Sequence, residues 1–378
     1  MTYRFDLSKS ITDIGLAEWE RLAGRSHPFI RYEFLETLES SGAVSTQTGW
    51  QPLHLRLFEN DDCILILPMY LKSHSYGEYV FDWAWADAYE RHGLDYYPKL
   101  ITSIPFTPVS GPRLATQKPL SEVIPLLTQI IKQICAERGI SSWHGLFFEN
   151  SQQLHMQTQD FKNRLGTQYH WFNKDYQDFN HFLNGFSSRK RKNVKRERQK
   201  ITEQNVIVHC IEGSDISESL LNTFYHCYHL THLKRGRQGY LNPEFFRNLL
   251  HTMPEQIVMF AAQYQSKYVA TALCFKDEHT LYGRYWGCIE EFNNLHFETC
   301  FYTGIEYCIR HGLQRFDPGA QGEHKIQRGF EPIETWSSHY ISNPSFEQAI
   351  VHFLDEEEAL MRTQISELSK GLPFRKDD

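Results

Sequence analysis

The sequence predicts an α/β (α+β) fold built twice over, each half a mixed central sheet flanked by helices. Two observations carry this. An order of strand, strand, strand, loop, helix, strand can be traced in the first half and again roughly 200 residues later, with weak letter-for-letter similarity. The length of 378 residues, 41% hydrophobic and 22% charged, suits two ordinary globular cores. On this reading the chain divides into 1–165 and 166–378.

In the first half, 12–23 and 28–40 have the spacing of short helices, with Pro28 near the start of the second and Gly42 past its end. Two apolar runs then flank the turn Glu59-Asn60-Asp61-Asp62 as a hairpin, and YGEYVFDWAW (76–85) follows as a third strand. A long loop is expected over 87–113, ending in PFTPVSGPRL, and loops of that length usually serve function. An amphipathic helix over 119–138, stopped by Gly139, leads to the strand SSWHGLFFE (141–149). In the second half, 257–288 is a three-strand meander with turns at 265–267 and 276–278. A loop, a helix over 297–311 capped by Gly312, and a strand beginning QRFDP complete the repeat. Between the halves lie a short helix over 178–185, a basic helix over 187–204, and helices over 215–235 and 243–252. A long helix over 344–368 follows, and the tail GLPFRKDD (371–378) is expected to fray.

The net charge of -7 disfavours a general nucleic-acid binder but allows a local basic site. The eight cysteines are scattered without zinc-ligand spacing, a pattern suited to a reducing cytosol, and no metal is expected. The N-terminus lacks an apolar signal core, and Pro68 interrupts the longest apolar stretch, so a cytoplasmic protein without membrane insertion is expected. There is no GxSxG elbow, HExxH, Walker loop or strand-linked GxGxxG.

A three-strand meander, a loop opening a helix, then a strand resembles the core of the GNAT acyl-CoA N-acyltransferases. The tandem pair resembles the Fem family of peptidoglycan interpeptide-bridge aminoacyltransferases, in its FemAB-like branch of N-acyltransferases. Three stretches carry the likeness: FLNGFSSRKRKNVKRERQK (182–200), LHFETCFYTGIEYC (295–308) and RFDPGAQGEHKIQRGFEPIETWSSHYI (315–341), with PFTPVSGPRL beside them. The resemblance implies tandem GNAT-like domains and matches Lys325 to the Fem lysine and Phe330 to the aromatic that follows it. One departure stands out. The glycine-rich loop that holds the coenzyme A pyrophosphate on backbone N–H groups in GNAT enzymes is replaced in the second half by CIEEFNNLHFE, with two acids at its start. Fem enzymes also lack that loop and take their acyl group from aminoacyl-tRNA. The donor is therefore expected to be acyl-CoA or aminoacyl-tRNA.

Four constellations are candidates for the chemistry. The basic helix holds eight cations in fourteen residues against Glu197, and Arg191 and Lys195 share a face suited to a phosphate, a tRNA backbone or a nucleotide-linked ligand. The segment 319–330 offers Glu323 or His324 as base and Lys325 or Arg328 for an oxyanion or phosphate, among Gly319, Gly322 and Gly329. In LHFETCFYTG, His296, Glu298 and Tyr302 flank a helix start, with Glu298 either a general base or a dipole-stabilising acid. Asp87 and His92 lie among aromatics that could line a sugar or peptide cleft or form a lid, and Lys234 and Arg237 form a cationic loop. The expected function is N-acyl or aminoacyl transfer to a small-molecule or peptide-like amine, with a nucleotide-linked acceptor in peptidoglycan metabolism among the options. The rival reading is a non-catalytic protein that keeps the fold and binds an anionic ligand.

Overall fold

The structure is a computed structural model describing residues 2–320 and 322–375. Its residues gather into two compact units, Met1–Thr167 with Glu334–Thr363, and Gln168–Ile333 with Gln364–Asp378.

In the first unit, strands Tyr3–Ser8, His54–Glu59, Asp62–Leu67 and Ala115–Thr116 form an antiparallel sheet in that order. A second sheet runs Trp50–Pro52, Tyr70–Lys72, Lys99–Thr102, Ser142–Leu146 and then Ser337–Ile341. Its step from Lys99–Thr102 to Ser142–Leu146 is parallel, which requires a crossover, and helix Leu120–Arg138 supplies it. That helix buries Val123, Ile124, Leu127, Ile131 and Ile134, at helical spacing, against Leu55, Leu65, Leu100 and Trp143. Gly139, at φ +63°, ends it.

The second unit repeats the plan. Strands Ile207–Glu212, Ile257–Tyr264, Lys267–Lys276 and Thr280–Cys288 are antiparallel neighbours, and Arg315–Asp317 joins in parallel. Here the crossover runs through Leu295–His311, and Trp171 and Phe172 then pair antiparallel with the last strand. Each unit is thus a hairpin, a parallel partner reached over a helix, and a closing antiparallel strand. This is the tandem GNAT-like arrangement expected from the sequence.

Four expectations change. The division does not fall once, at 165/166. Strand Glu331–Ile341 begins in the second unit, and its last five residues pair with Ser142–Leu146 of the first, so 334–363 belong there. Residues 76–85 are not a strand, because Pro68 ends one strand at Leu67 and the next is Tyr70–Lys72. Instead Glu78 and Asp82 turn inward to the buried Lys99, with Nζ 2.8 Å from Glu78 Oε2, and Tyr76, Tyr79, Phe81 and Trp83 are left exposed. The stretch 87–113 is no open loop: Trp83–Arg91 is a helix, Lys99–Thr102 a strand, and residues 99–109 are buried throughout. The tail is docked over 371–375, where Phe374 packs at 5.3 Å from the Phe186 ring and Ser187 N–H donates to Pro373 O at 2.9 Å. Residues 376–378 lie outside the described residues.

Candidate active site

Strands Thr280–Cys288 and Arg315–Asp317 are paired over three residues, the last pair being Tyr282 and Asp317. The longer strand runs on to Cys288, while the shorter leaves through Pro318 and Gly319, whose φ is +95°. The second unit's sheet therefore opens at a fork, and polar side chains converge on it. Arg284 Nη2 lies 2.5 Å from Asp317 Oδ2, and Gly319 N–H donates to Asp317 Oδ1 at 2.9 Å. His170 Nε2 is 3.6 Å from the same carboxylate. Against the opposing penalty of burial, Arg284 and His170 hold Asp317 well below the usual carboxylate range. Burial, with smaller repulsion from Arg315, Arg284 and Lys325, pushes His170 down to about 4.

Lys325 is 2% exposed, and its Nζ donates to Gly319 O at 2.5 Å. Burial pulls it down to about 8; Asp317 opposes this and Arg284 adds to it. Asp317 is already shared with Arg284, so Lys325 carries a proton it holds weakly. The 3-10 turn Glu323–Arg328 sets it in place and ends at Gly329, φ +87°, where a Cβ would come within 2.8 Å of Phe182.

A cationic, aromatic wall stands beside Lys325. Arg328 lies 3.5 Å over the Phe297 ring and donates to His324 O at 2.8 Å. The His296 ring is 5.2 Å from Phe301 and 6.1 Å from His324. Burial first, then His324, Lys325, Arg328 and Arg235, push His296 down to about 4. Lys325, Arg328 and Arg235, which add to the effect of burial on His296, make the local field positive, and such a field favours an anionic ligand.

The basic helix, Ser188–Glu203, docks through Val194 and Ile201 and grips this region with two consecutive residues. Glu197 accepts from Arg328 Nη2 at 2.9 Å and from the Tyr302 hydroxyl. Arg198 holds Glu298 at 2.7 Å and Glu306 at 2.6 Å. Both grips fall on a single π turn, Glu298–Tyr302, of the kind frequent at functional sites. Burial raises Glu298, against the pull of Arg198.

Lys325, Arg328, His324, His296 and Tyr302 therefore come together. Glu298 and Lys195 line a separate cleft on the other flank of the basic helix. Glu323 is exposed, and Arg191 is half-buried on the basic helix. Lys234 is paired with Glu291 at 2.5 Å, and Arg237 is exposed in the turn that follows Lys234. Asp87 and His92 belong to the first unit, where Asp87 pairs with Arg91 and His92 Nδ1 lies 2.8 Å from Ala88 O. Sequence reasoning passed over His170, Arg284, Asp317 and Glu306. The Asp-Pro-Gly that ends a strand was the one available signal for Asp317, and the long-range partners left none.

The first unit has the same parallel pair but no open fork. Beyond Leu146, Phe148 bridges in parallel to Gly111, and Gly111 N–H donates to Phe147 O at 3.0 Å. The fully buried Arg113 donates to Leu146 O at 3.1 Å and Val109 O at 2.5 Å, so PFTPVSGPRL plugs its own sheet.

Among the described residues, no cluster of three His, Cys, Asp or Glu could hold a metal ion, and no helix is long and apolar enough to cross a membrane. No curated protein matches the chain by sequence. Its fold is similar to the crystal structure of FemX, with TM-score 0.53 and 12% identity, over 93% of this chain and 100% of that one. L-PGS from Bacillus licheniformis is similar with TM-score 0.50 and 11% identity, over 93% and 98% of the two chains. The C-terminal domain of a putative lysylphosphatidylglycerol synthetase from Agrobacterium fabrum gives 0.53 and 8%, over 92% and 94%. The FemAB-like family, described by its role in peptidoglycan biosynthesis and recognition, matches residues 10–376, and the chain belongs to it.

Proposed function

We propose that the second unit transfers an aminoacyl or other acyl group to an amine acceptor at the fork between Thr280–Cys288 and Arg315–Asp317. The observation that carries this reading is Lys325, a buried lysine lowered to about 8 at the mouth of an opened parallel sheet. In its neutral form Lys325 accepts a proton as the acceptor nitrogen adds to the donor's carbonyl carbon. It then returns that proton to the oxygen or sulfur that leaves, so the amide forms without a covalent enzyme intermediate. Arg328, His324 and His296 supply the positive field for the donor's phosphates or the transient oxyanion. Glu298 is assigned a positioning role, because its carboxylate is engaged by Arg198.

Aminoacyl-tRNA is the favoured donor. The helix start at Leu295 follows Glu290 and Glu291, with no glycine-rich run of amides to cradle a pyrophosphate. The exposed cations of the basic helix suit a nucleic-acid backbone, and such a donor places the reaction in the cytoplasm. The family's description, peptidoglycan biosynthesis and recognition, supports a peptidoglycan precursor as the acceptor, and the acceptor assigned here is a peptide amine on a nucleotide-linked carrier. The Agrobacterium fabrum protein is named as a putative lysylphosphatidylglycerol synthetase, so a lipid acceptor is the neighbouring option within the same chemistry.

The test mixes the protein with charged tRNA or with acetyl-CoA, and with a UDP-linked muramyl pentapeptide, and follows product mass. The expected result is an aminoacylated pentapeptide from charged tRNA, reduced at least ~100-fold in Lys325→Met. A product formed equally well by Lys325→Met would overturn the assignment. Binding of tRNA with no transfer to any amine would favour a non-catalytic binding protein.

A further inference from the structure

The second unit holds a cleft of about 680 Å³ that touches the proposed reaction only through Glu298 and, on the basic helix, Lys195. None of the fork residues lines it. One wall is the basic helix, through Lys195, Arg198, Ile201 and Thr202; the opposite wall is helix Thr303–His311 with the π turn before it, through Glu298, Glu306 and Arg310. Phe179 and Leu183 close one end, and Val206, Val208 and Cys210 line the rest. The volume is in the range of sites for small organic ligands.

Charge and polarity in the cleft are unevenly distributed. Both of its carboxylates, Glu298 and Glu306, are engaged by Arg198. Lys195 and Arg310 have no ion pair among the described residues, and both are exposed. The lining therefore carries three cations against two anions, and the two unengaged side chains are both positive. Phe179, Leu183, Ile201, Val206 and Val208 give the same cleft an apolar floor, and each of them except Val208 is buried.

We infer that this cleft binds a small amphipathic anion, a carboxylate or phosphate monoester with an apolar body. Its head group lies between Lys195 and Arg310, and its body lies against the valine and isoleucine floor. The cleft also adjoins the catalytic fork through two neighbouring residues. Arg198 grips Glu298 on the cleft side of the π turn, while Glu197 grips Tyr302 and Arg328 on the fork side. An anion that draws Arg198 toward itself loosens Glu298, so occupancy biases the turn that also holds the fork.

Octanoate, octyl phosphate and inorganic phosphate are the probes, with binding read by calorimetry and by amide hydrogen exchange on the full chain. Octanoate or octyl phosphate is expected to bind, at least tenfold more tightly than inorganic phosphate, and to slow exchange over 195–202 and 298–310. Which of the two binds better identifies the head group. Lys195→Glu with Arg310→Glu removes the binding while leaving the unliganded melting temperature within about 1 °C, because both side chains are exposed. Val208→Glu should remove it independently by blocking the floor. The inference fails if neither amphiphile binds, if protection falls outside these two segments, or if binding survives the double reversal. None of these readouts depends on acyl transfer, so loss of the proposed activity would leave this inference standing, and the reverse.

Discussion

Lys325 and Lys99 are both buried lysines, and their surroundings give them opposite roles. Lys99 sits between Glu78 and Asp82, and although burial opposes it these two carboxylates raise its pKa. Removing it as Lys99→Met takes the nearest cation from two buried carboxylates, leaving Glu78 to Lys72 at 3.8 Å and Asp82 to the Tyr96 hydroxyl at 2.6 Å, and should cost about 3 kcal/mol, measured by urea unfolding. Lys325 has no carboxylate to itself and is lowered to about 8. Unfolded lysine titrates near ~10.4, so the unfolded chain binds the extra proton between these values and stability rises with pH from about 8 upward. Below about 8 the folding penalty is fully present. Lys325→Met should therefore abolish transfer yet raise stability at pH 7 by about 1–3 kcal/mol, an outcome that a merely structural lysine would not give. In the native protein the transfer rate should climb as pH passes through about 8, since neutral Lys325 is the acceptor of the proton. The lysine itself was legible, because GEHKIQRGF stood out among glycines. Its depressed pKa was not, since it comes first from burial and then from Arg284, which offsets the pull of Asp317.

Elements show the same contrast between local pattern and long-range contact. Helix Leu120–Arg138 and the 257–288 meander follow from apolar spacing and turn residues, and both lie where the sequence predicts. The segment 76–85 is not the expected strand because alternation alone cannot say which side chains face inward; here Glu78 and Asp82 do, drawn by Lys99. PFTPVSGPRL looked like a functional loop because prolines and glycines mark loops, but its Arg113 and Gly111 satisfy the strand end that would otherwise lie open. The tail was expected to fray on composition, yet Phe374 fills a site beside Phe182 and Phe186. Truncation after Lys370 should lower the melting temperature by several degrees and expose that aromatic cluster to a hydrophobic dye. Gly287 is a further test of packing: a Cβ there would lie 2.0 Å from Cys227 O, so Gly287→Ala should destabilise the protein by about 2 kcal/mol or more as helix Glu218–Leu233 is pushed off the strand.

At the scale of the whole molecule, the chain crosses between units more than once. A fragment ending at Leu165 lacks Ser337–Ile341 and the buried Ile350 and Leu354, and should show neither a cooperative melt nor dispersed amide resonances. Acid should act on both units. Burial pushes His170 and His296 to about 4 and His144 to about 3, while unfolded histidine titrates near ~6.5. The unfolded chain therefore binds more protons over that window, and stability should fall as pH drops from about 6.5 toward 4, visible as a declining melting temperature. The class of fold, its duplication, the basic helix and the GEHKIQRGF segment follow from the amino-acid order alone, because periodicity, turn chemistry and charge runs are local properties. Tertiary structure decided which fork is open, which acid each cation meets and which lysine stays weakly protonated. Those outcomes rest on pairs such as Arg284 with Asp317 and Arg198 with Glu298, 33 and 100 residues apart, whose burial and distance no local pattern encodes.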